Sequence, residues 1–206
     1  DAIAARKEVS MEVFKRENGL DERPIIALLP GSRKQEIAKM LSVMLSVVES
    51  HHQYQFVIAG APSLGYDFYK QFIKEENVHF VSGKTYDLLA HSYAALVTSG
   101  TATLETALLN VPEVVCYRGN WISYQIAKRV ISLKYISLVN LIMDAPVVTE
   151  LIQGDLCTRN LKAELNKLLD SDYREKLFKD YQALREKLSN QGASERTAQA
   201  IYDSLQ

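Results

Sequence analysis

The sequence predicts an α/β fold built on a doubly wound, mostly parallel sheet with a helical C-terminal tail, and three observations predict it. Short, nearly all-apolar segments recur between residues 25 and 117. Helix-patterned segments lie between them. From about Arg159 the chain becomes charge-rich, and Leu161, Leu165, Leu168 and Leu169 recur there at helical spacing with no strand candidate left. A strand covered by helices on both faces is apolar at successive positions rather than alternate ones, so such runs mark a parallel sheet. Right-handed crossovers then give a Rossmann-like winding.

Taken in order, residues 2–18 form a charged, helix-favouring lead-in that ends at Asn18-Gly19, ahead of Pro24. Strands are expected at 25–29, 55–59, 78–81, 94–98 and 114–117, and helices near 35–49, 66–75, 85–90 and 101–109. The apolar run 138–152 is interrupted by Asn140 and Glu150 and followed by Gln153. The expected division is a lead-in over 1–20, a Rossmann-like domain over 21–158, and C-terminal helices over 159–206. Those helices would pack on the domain or reach toward a partner domain.

A chain of 206 residues, 47% hydrophobic, is long enough to bury one full core. Its net charge of -1 gives no global field for a nucleic-acid partner, and none is expected. One local asymmetry stands out: residues 114–143 hold no Asp or Glu, but include Arg118, Lys128, Arg129 and Lys134. That stretch reads as an amphipathic helix, a phosphate-facing patch or a surface for anionic lipid. Cys116 and Cys157 lack CxxC spacing or clustered His, so zinc is not expected and a reducing compartment is. Cys116 sits in an apolar run as a small core residue. No apolar stretch reaches the roughly 18–20 residues of a membrane span, and no signal peptide is recognisable.

In a doubly wound sheet, ligands bind beyond the carboxyl ends of the strands. Two loops at such ends carry chemistry. In Leu29-Pro30-Gly31-Ser32-Arg33, Gly31 permits close backbone approach, Ser32 can cap the next helix, and Arg33 adds a fork of donors. A plain turn with a solvated Arg competes with this reading. In Thr98-Ser99-Gly100-Thr101-Ala102-Thr103-Leu104-Glu105, small hydroxyl residues and a Gly open a helix, so amides, hydroxyls and dipole converge on an anion. Glu105, one turn in, can accept from vicinal hydroxyls, or can simply favour the helix N-terminus. Gly83-Lys84-Thr85 resembles the end of a Walker A loop, but position 78 is Val where that motif needs Gly, so the motif fails. Asn140 and Gln153 can each donate and accept, which suits a base or sugar edge or equally a turn. His51, His52, His79 and His91 show no catalytic spacing.

Together these motifs resemble a known family. Leu29-Pro30-Gly31-Ser32-Arg33 with Glu36-Ile37 is similar to the LPGSR-x-x-EI segment of bacterial lipid-A-disaccharide synthases. Residues 99–105 resemble that family's SGTATLE, residues 134–140 its KY-x-SL-x-N, and residues 150–153 its E-L-x-Q. Order and spacing agree over residues 24–160, and Asp1-Ala2-Ile3 is similar to the passage where the family's two halves join.

The resemblance implies one half of a B-type glycosyltransferase: the C-terminal, donor-binding half, with the acceptor site and general base in an N-terminal half. It implies UDP-2,3-diacylglucosamine and 2,3-diacylglucosamine 1-phosphate as substrates, inversion at the anomeric carbon, and no metal or other cofactor. The expected location is cytoplasmic, peripheral at the inner membrane of a Gram-negative bacterium, with homodimerisation left open. Carried over, Arg33 would stabilise the departing diphosphate. Gly31, Ser32, Ser99, Gly100, Thr101, Ala102 and Thr103 would cradle phosphate, Glu105 would bind ribose, and Asn140, Glu150 and Gln153 would line the donor pocket. Alternatives are another UDP-N-acetylglucosamine-using B-type transferase or 2-epimerase, or a UDP-binding module without turnover.

Overall fold

The computed structural model describes residues 8–119 and 134–189. Strands β1 (Ile25–Leu29), β2 (Gln55–Gly60), β3 (Val78–Ser82), β4 (Ser92–Thr98), β5 (Glu113–Tyr117) and β6 (Thr149–Ile152) form one sheet. Its order is β3-β2-β1-β4-β5-β6, and every neighbouring pair is parallel. The helices are α1 (Met11–Glu17), α2 (Lys34–Leu45), α3 (Tyr66–Lys70), α4 (Thr85–Ala90), α5 (Thr101–Leu108), α6 (Leu138–Met143), α7 (Thr158–Leu169) and α8 (Ser171–Ser189).

The all-apolar strands have the cause inferred for them: both faces of the sheet are covered. Ile25, Ala27 and Leu29 of β1 turn to one face and pack with Phe14 of α1 and Leu88 and Leu89 of α4. Ile26 and Leu28 turn to the other, among Ile37, Met40 and Leu41 of α2. The described part of the tail packs on this second face, burying Leu161, Leu165 and Leu168 of α7 and Leu177, Tyr181 and Leu184 of α8. Arg174 of α8 anchors it: its guanidinium lies 3.7 Å above the Tyr93 ring and donates to the carbonyls of Tyr93 and Leu168.

Three features depart from expectation. A sixth strand, β6, joins the edge beside β5, with Val114 opposite Thr149 and Tyr117 opposite Ile152. An edge strand is half-open, and only Leu151 of its four residues is buried, so nothing within the interrupted apolar run 138–152 marks it off as a strand. The short helix α6 was likewise not anticipated; Ser137 caps it by accepting from the Asn140 amide. The helix expected over 35–49 stops at Leu45, where the Ser46 hydroxyl donates back to the Val43 carbonyl at 2.6 Å, and a 3-10 turn follows at Val48–Ser50.

The strand order positions the site. From β1 the chain moves outward through β2 and β3, then returns to the other side of β1 as β4. The loops leaving β1 and β4 therefore part company, and a crevice opens between them at this switch point.

Candidate functional site

The loop after β1 is shaped by Gly31 and Glu36. Gly31 has φ +104, and a Cβ there would lie 2.3 Å from the Glu36 carboxylate. Position 31 thus favours glycine for its conformation, and a side chain there would push the Glu36 carboxylate aside. The Glu36 Oε2 accepts from the Ser32 amide at 3.1 Å, bracing the turn against the start of α2. This corrects the capping expected of Ser32: Arg33 stands at the N-cap, without a side-chain capping bond, and the Ser32 amide is already engaged. The Arg33 side chain is exposed and pairs with no other described residue.

The loop after β4 is set by inward bonds. The Ser99 amide donates to the Cys116 carbonyl and its hydroxyl to the Ile136 carbonyl, each at 3.1 Å. Thr103 is fully buried, and its amide and hydroxyl both donate to the Gly100 carbonyl, at 3.2 and 2.8 Å. The expectation that Ser99 and Thr103 offer donors to phosphate is therefore corrected: their donors hold the loop. The amides of Gly100, Thr101 and Ala102 have no acceptor among the described residues, as befits a helix start. Thr98 joins them. It is only 6% exposed, and its hydroxyl has no partner among the described residues.

Both loops face one cleft of about 350 Å³, lined by Gly31, Ser32, Arg33 and Glu36 on one side and Thr98, Ser99, Gly100, Thr101 and Ala102 on the other. Residues 59–62, at and just past the end of β2, and Thr85 close it. Free amides at the start of α5, the Arg33 guanidinium and the Thr98 hydroxyl make this a cavity suited to an anion. Glu105 lies just outside the lining, where its Oε1 accepts from the Tyr86 hydroxyl at 3.1 Å. Burial, and then the carboxylate, hold the Tyr86 phenol above its ordinary pKa.

Asn140 and Glu150 do not line the cleft. Asn140 is buried and uses its whole amide: Nδ2 donates to the Val148 carbonyl and to Glu150, and Oδ1 accepts from the Val148 amide, all within 2.9 Å. Glu150 also accepts from the amides of Ile136 and Ser137. Their role as pocket residues is thus corrected to a scaffold that fixes Ile136, the acceptor of the Ser99 hydroxyl. Gln153 differs: it sits at φ +53 with its Nε2 buried and without a partner among the described residues.

The basic stretch divides. Arg118 donates to the Leu156 carbonyl near the cleft. Lys134 is opposed after all, by Asp144 at 3.4 Å. Lys128 and Arg129 lie outside the described residues. Lys84 spends its charge on Glu17 at 3.0 Å, pinning α1 rather than binding phosphate. His51 is structural, bonded to the Val47 carbonyl and to Asn166.

The family model described as lipid-A-disaccharide synthetase matches residues 1–203. The chain belongs to this family. A lipid-A-disaccharide synthase of Syntrophus aciditrophicus (strain SB) is 40% identical over 181 residues, covering 84% of this chain and 47% of that protein. One from Geobacter sulfurreducens (strain ATCC 51573 / DSM 12127 / PCA) is 34% identical over 195 residues, covering 91% and 51%. The chain thus spans about half the length of the curated relatives it matches. Among solved structures, the calicheamicin glycosyltransferase CalG4 aligns with TM-score 0.57 at 17% identity, over 89% of this chain and 42% of that one. A structure titled putative UDP-N-acetylglucosamine 2-epimerase, from Listeria monocytogenes, aligns with TM-score 0.56 at 16% identity, over 86% and 45%. These two likenesses show the fold.

For a lipid-A-disaccharide synthetase chain, three site residues escaped motif reading: Thr98, Glu36 as a brace, and Tyr86. The spacing of Ser32 and Glu36, one residue longer than a capping box, was the available sign for the brace. Among the described residues, no helix is long and apolar enough to cross a membrane.

Proposed function

We propose that this chain is the donor-binding part of an inverting glycosyltransferase. It would grip UDP-2,3-diacylglucosamine while its sugar passes to 2,3-diacylglucosamine 1-phosphate, forming the lipid A disaccharide. One observation carries the reading: uncommitted donors from two separate loops, Arg33 and the amides of Gly100, Thr101 and Ala102, converge on one cleft at the switch point. As the acceptor hydroxyl attacks the anomeric carbon, the bond to the β-phosphate oxygen breaks and charge builds on the diphosphate. Arg33 and the start of α5 lie where that charge would develop, so they stabilise the transition state more than the ground state. On this reading neutralisation comes from the chain itself, and no metal is invoked.

Glu105, already oriented by Tyr86, would accept from the ribose hydroxyls. The unspent amide of Gln153 is the remaining candidate for the sugar among the downstream polar residues. The acceptor-activating base is assigned to the partner half, and the assembly to the cytoplasmic face of the inner membrane in a Gram-negative bacterium. Calorimetric titration with UDP and with ADP tests the proposal. UDP should bind more tightly than ADP, and Arg33→Ala and Glu105→Ala should each weaken it. Equal affinity for the two nucleotides, or binding of neither, would overturn it.

A further inference from the structure

Tyr86 and Glu105 meet from opposite sides of the switch point. Tyr86 lies in the first turn of α4, which follows β3 at one edge of the sheet, and Glu105 lies in α5, which follows β4. The Tyr86 hydroxyl donates to Glu105 Oε1 at 3.1 Å. Both residues flank the mouth of the cleft. Thr85, the neighbour of Tyr86, lines it, as do Thr101 and Ala102. Glu105 follows those two by four and three residues, so all three share one helix face. A phenol is a neutral donor, and it fixes one carboxylate oxygen without cancelling the charge. Among the described residues Glu105 forms no ion pair, and its Oε2 accepts no hydrogen bond. Glu150 is the opposite case, spent on two backbone amides and the Asn140 side chain. Burial, and then the carboxylate, keep the Tyr86 phenol above its ordinary pKa, so it remains a donor throughout the neutral range.

A carboxylate meets two adjacent hydroxyls together in one orientation only, whereas it can follow a single hydroxyl through many. Fixing that orientation therefore favours a vicinal diol over a lone hydroxyl. It also removes, ahead of binding, the rotamer freedom that a loose Glu side chain would lose, a gain of about fivefold in affinity. A site built to hydrogen-bond a hydroxyl in turn rejects the analogue that lacks it. We infer that Tyr86 is a positioning residue which, acting through Glu105, makes the cleft select ribonucleoside over 2′-deoxyribonucleoside diphosphates. The inference rests on the nucleotide reading proposed above and adds to it which sugar the nucleotide must carry and the residue that enforces the choice.

The test titrates UDP and 2′-deoxy-UDP into the full chain by calorimetry. The wild type should prefer UDP by about tenfold or more. Tyr86→Phe keeps the ring and its packing and removes only the donor. It should weaken UDP about fivefold and 2′-deoxy-UDP less than about twofold, so that the preference narrows. A merely structural role would lower both affinities by the same factor and leave their ratio intact. In a Glu105→Gln background, Tyr86→Phe should shift neither affinity by more than about twofold, because the group it acts through is gone. Equal losses for the two nucleotides, unchanged UDP binding in Tyr86→Phe, or the full loss persisting with Gln at position 105 would each overturn the inference and leave the nucleotide reading standing. Binding of neither uridine nucleotide by the wild type would remove the nucleotide reading, and this inference with it.

Discussion

Two polar clusters, one around Asn140 and Glu150 and one in the cleft beyond β1 and β4, are opposite in their hydrogen-bond accounts. In the Asn140–Glu150 cluster every amide atom of Asn140 is matched, and Glu150 gathers the amides of Ile136 and Ser137. In the cleft between β1 and β4, the amides of Gly100, Thr101 and Ala102, the Thr98 hydroxyl and the Arg33 fork lack partners among the described residues. Buried polar groups are normally satisfied, so groups left over beside an opening are the ones to connect with a ligand. The saturated cluster serves the unsaturated one by holding the carbonyl to which Ser99 is tied.

The comparison breaks most visibly if the saturated cluster is opened. Glu150→Ala strands two backbone amides and one side-chain amide, and should cost about 3 kcal/mol of stability, read from urea denaturation at constant m. Any loss of UDP affinity in this variant should follow loosening of the Ser99 loop. Arg33→Ala should do the reverse. Stability stays within about 0.5 kcal/mol, while UDP affinity by calorimetry falls by about 2 kcal/mol, roughly thirtyfold. If Arg33→Ala destabilised the fold and Glu150→Ala did not, the two clusters would have to exchange roles.

Glu113 sharpens the contrast. It is fully buried at the far end of β5, with neither carboxyl oxygen partnered among the described residues, beside the buried Tyr181 phenol. Burial holds its pKa well above the ordinary carboxylate value. The folded state therefore keeps a proton that the unfolded chain releases. Its contribution is complete below the unfolded pKa and declines as pH rises toward the folded one. The unfolding free energy from urea melts should fall as pH rises above the ordinary carboxylate range, by up to about 1.4 kcal/mol per pH unit from this group, and Glu113→Gln should remove that slope. Unsatisfied groups with no opening make a liability, not a site. The smallest effect is reserved for Thr98→Val, which should reduce UDP affinity about threefold with stability unchanged or slightly raised.

Much of this organisation is legible in the residues. Strands β1, β2, β4 and β5 are visible because burial leaves them largely apolar, β3 because it keeps a short apolar stretch at the opposite edge, and the phosphate-suited loops because small residues follow β1 and β4 directly. The edge strand β6 is hidden by its half-open setting. Roles within the loops are hidden for another reason. Thr101 and Thr103 are the same residue type two positions apart, yet one is exposed and the other is turned inward onto Gly100. Composition cannot separate donors committed to the loop from donors left over; only the folded backbone does. The resemblance implies Asn140 and Glu150 as pocket residues, while in the fold their hydrogen bonds hold Val148, Ile136 and Ser137.

The strand order has a consequence for the molecule as a whole. β1 and β4 are adjacent, but β2 and β3 lie between them in the chain, so the line between them is a seam where two wings of the sheet meet. A ligand held from the loops after β1 and β4 straddles that seam and behaves as a removable cross-link. By mass action, a hundredfold excess over its dissociation constant adds about 2.7 kcal/mol to the stability of the whole fold. Occupancy would then be recorded in the exchange protection of the central strands, far from any atom the ligand touches.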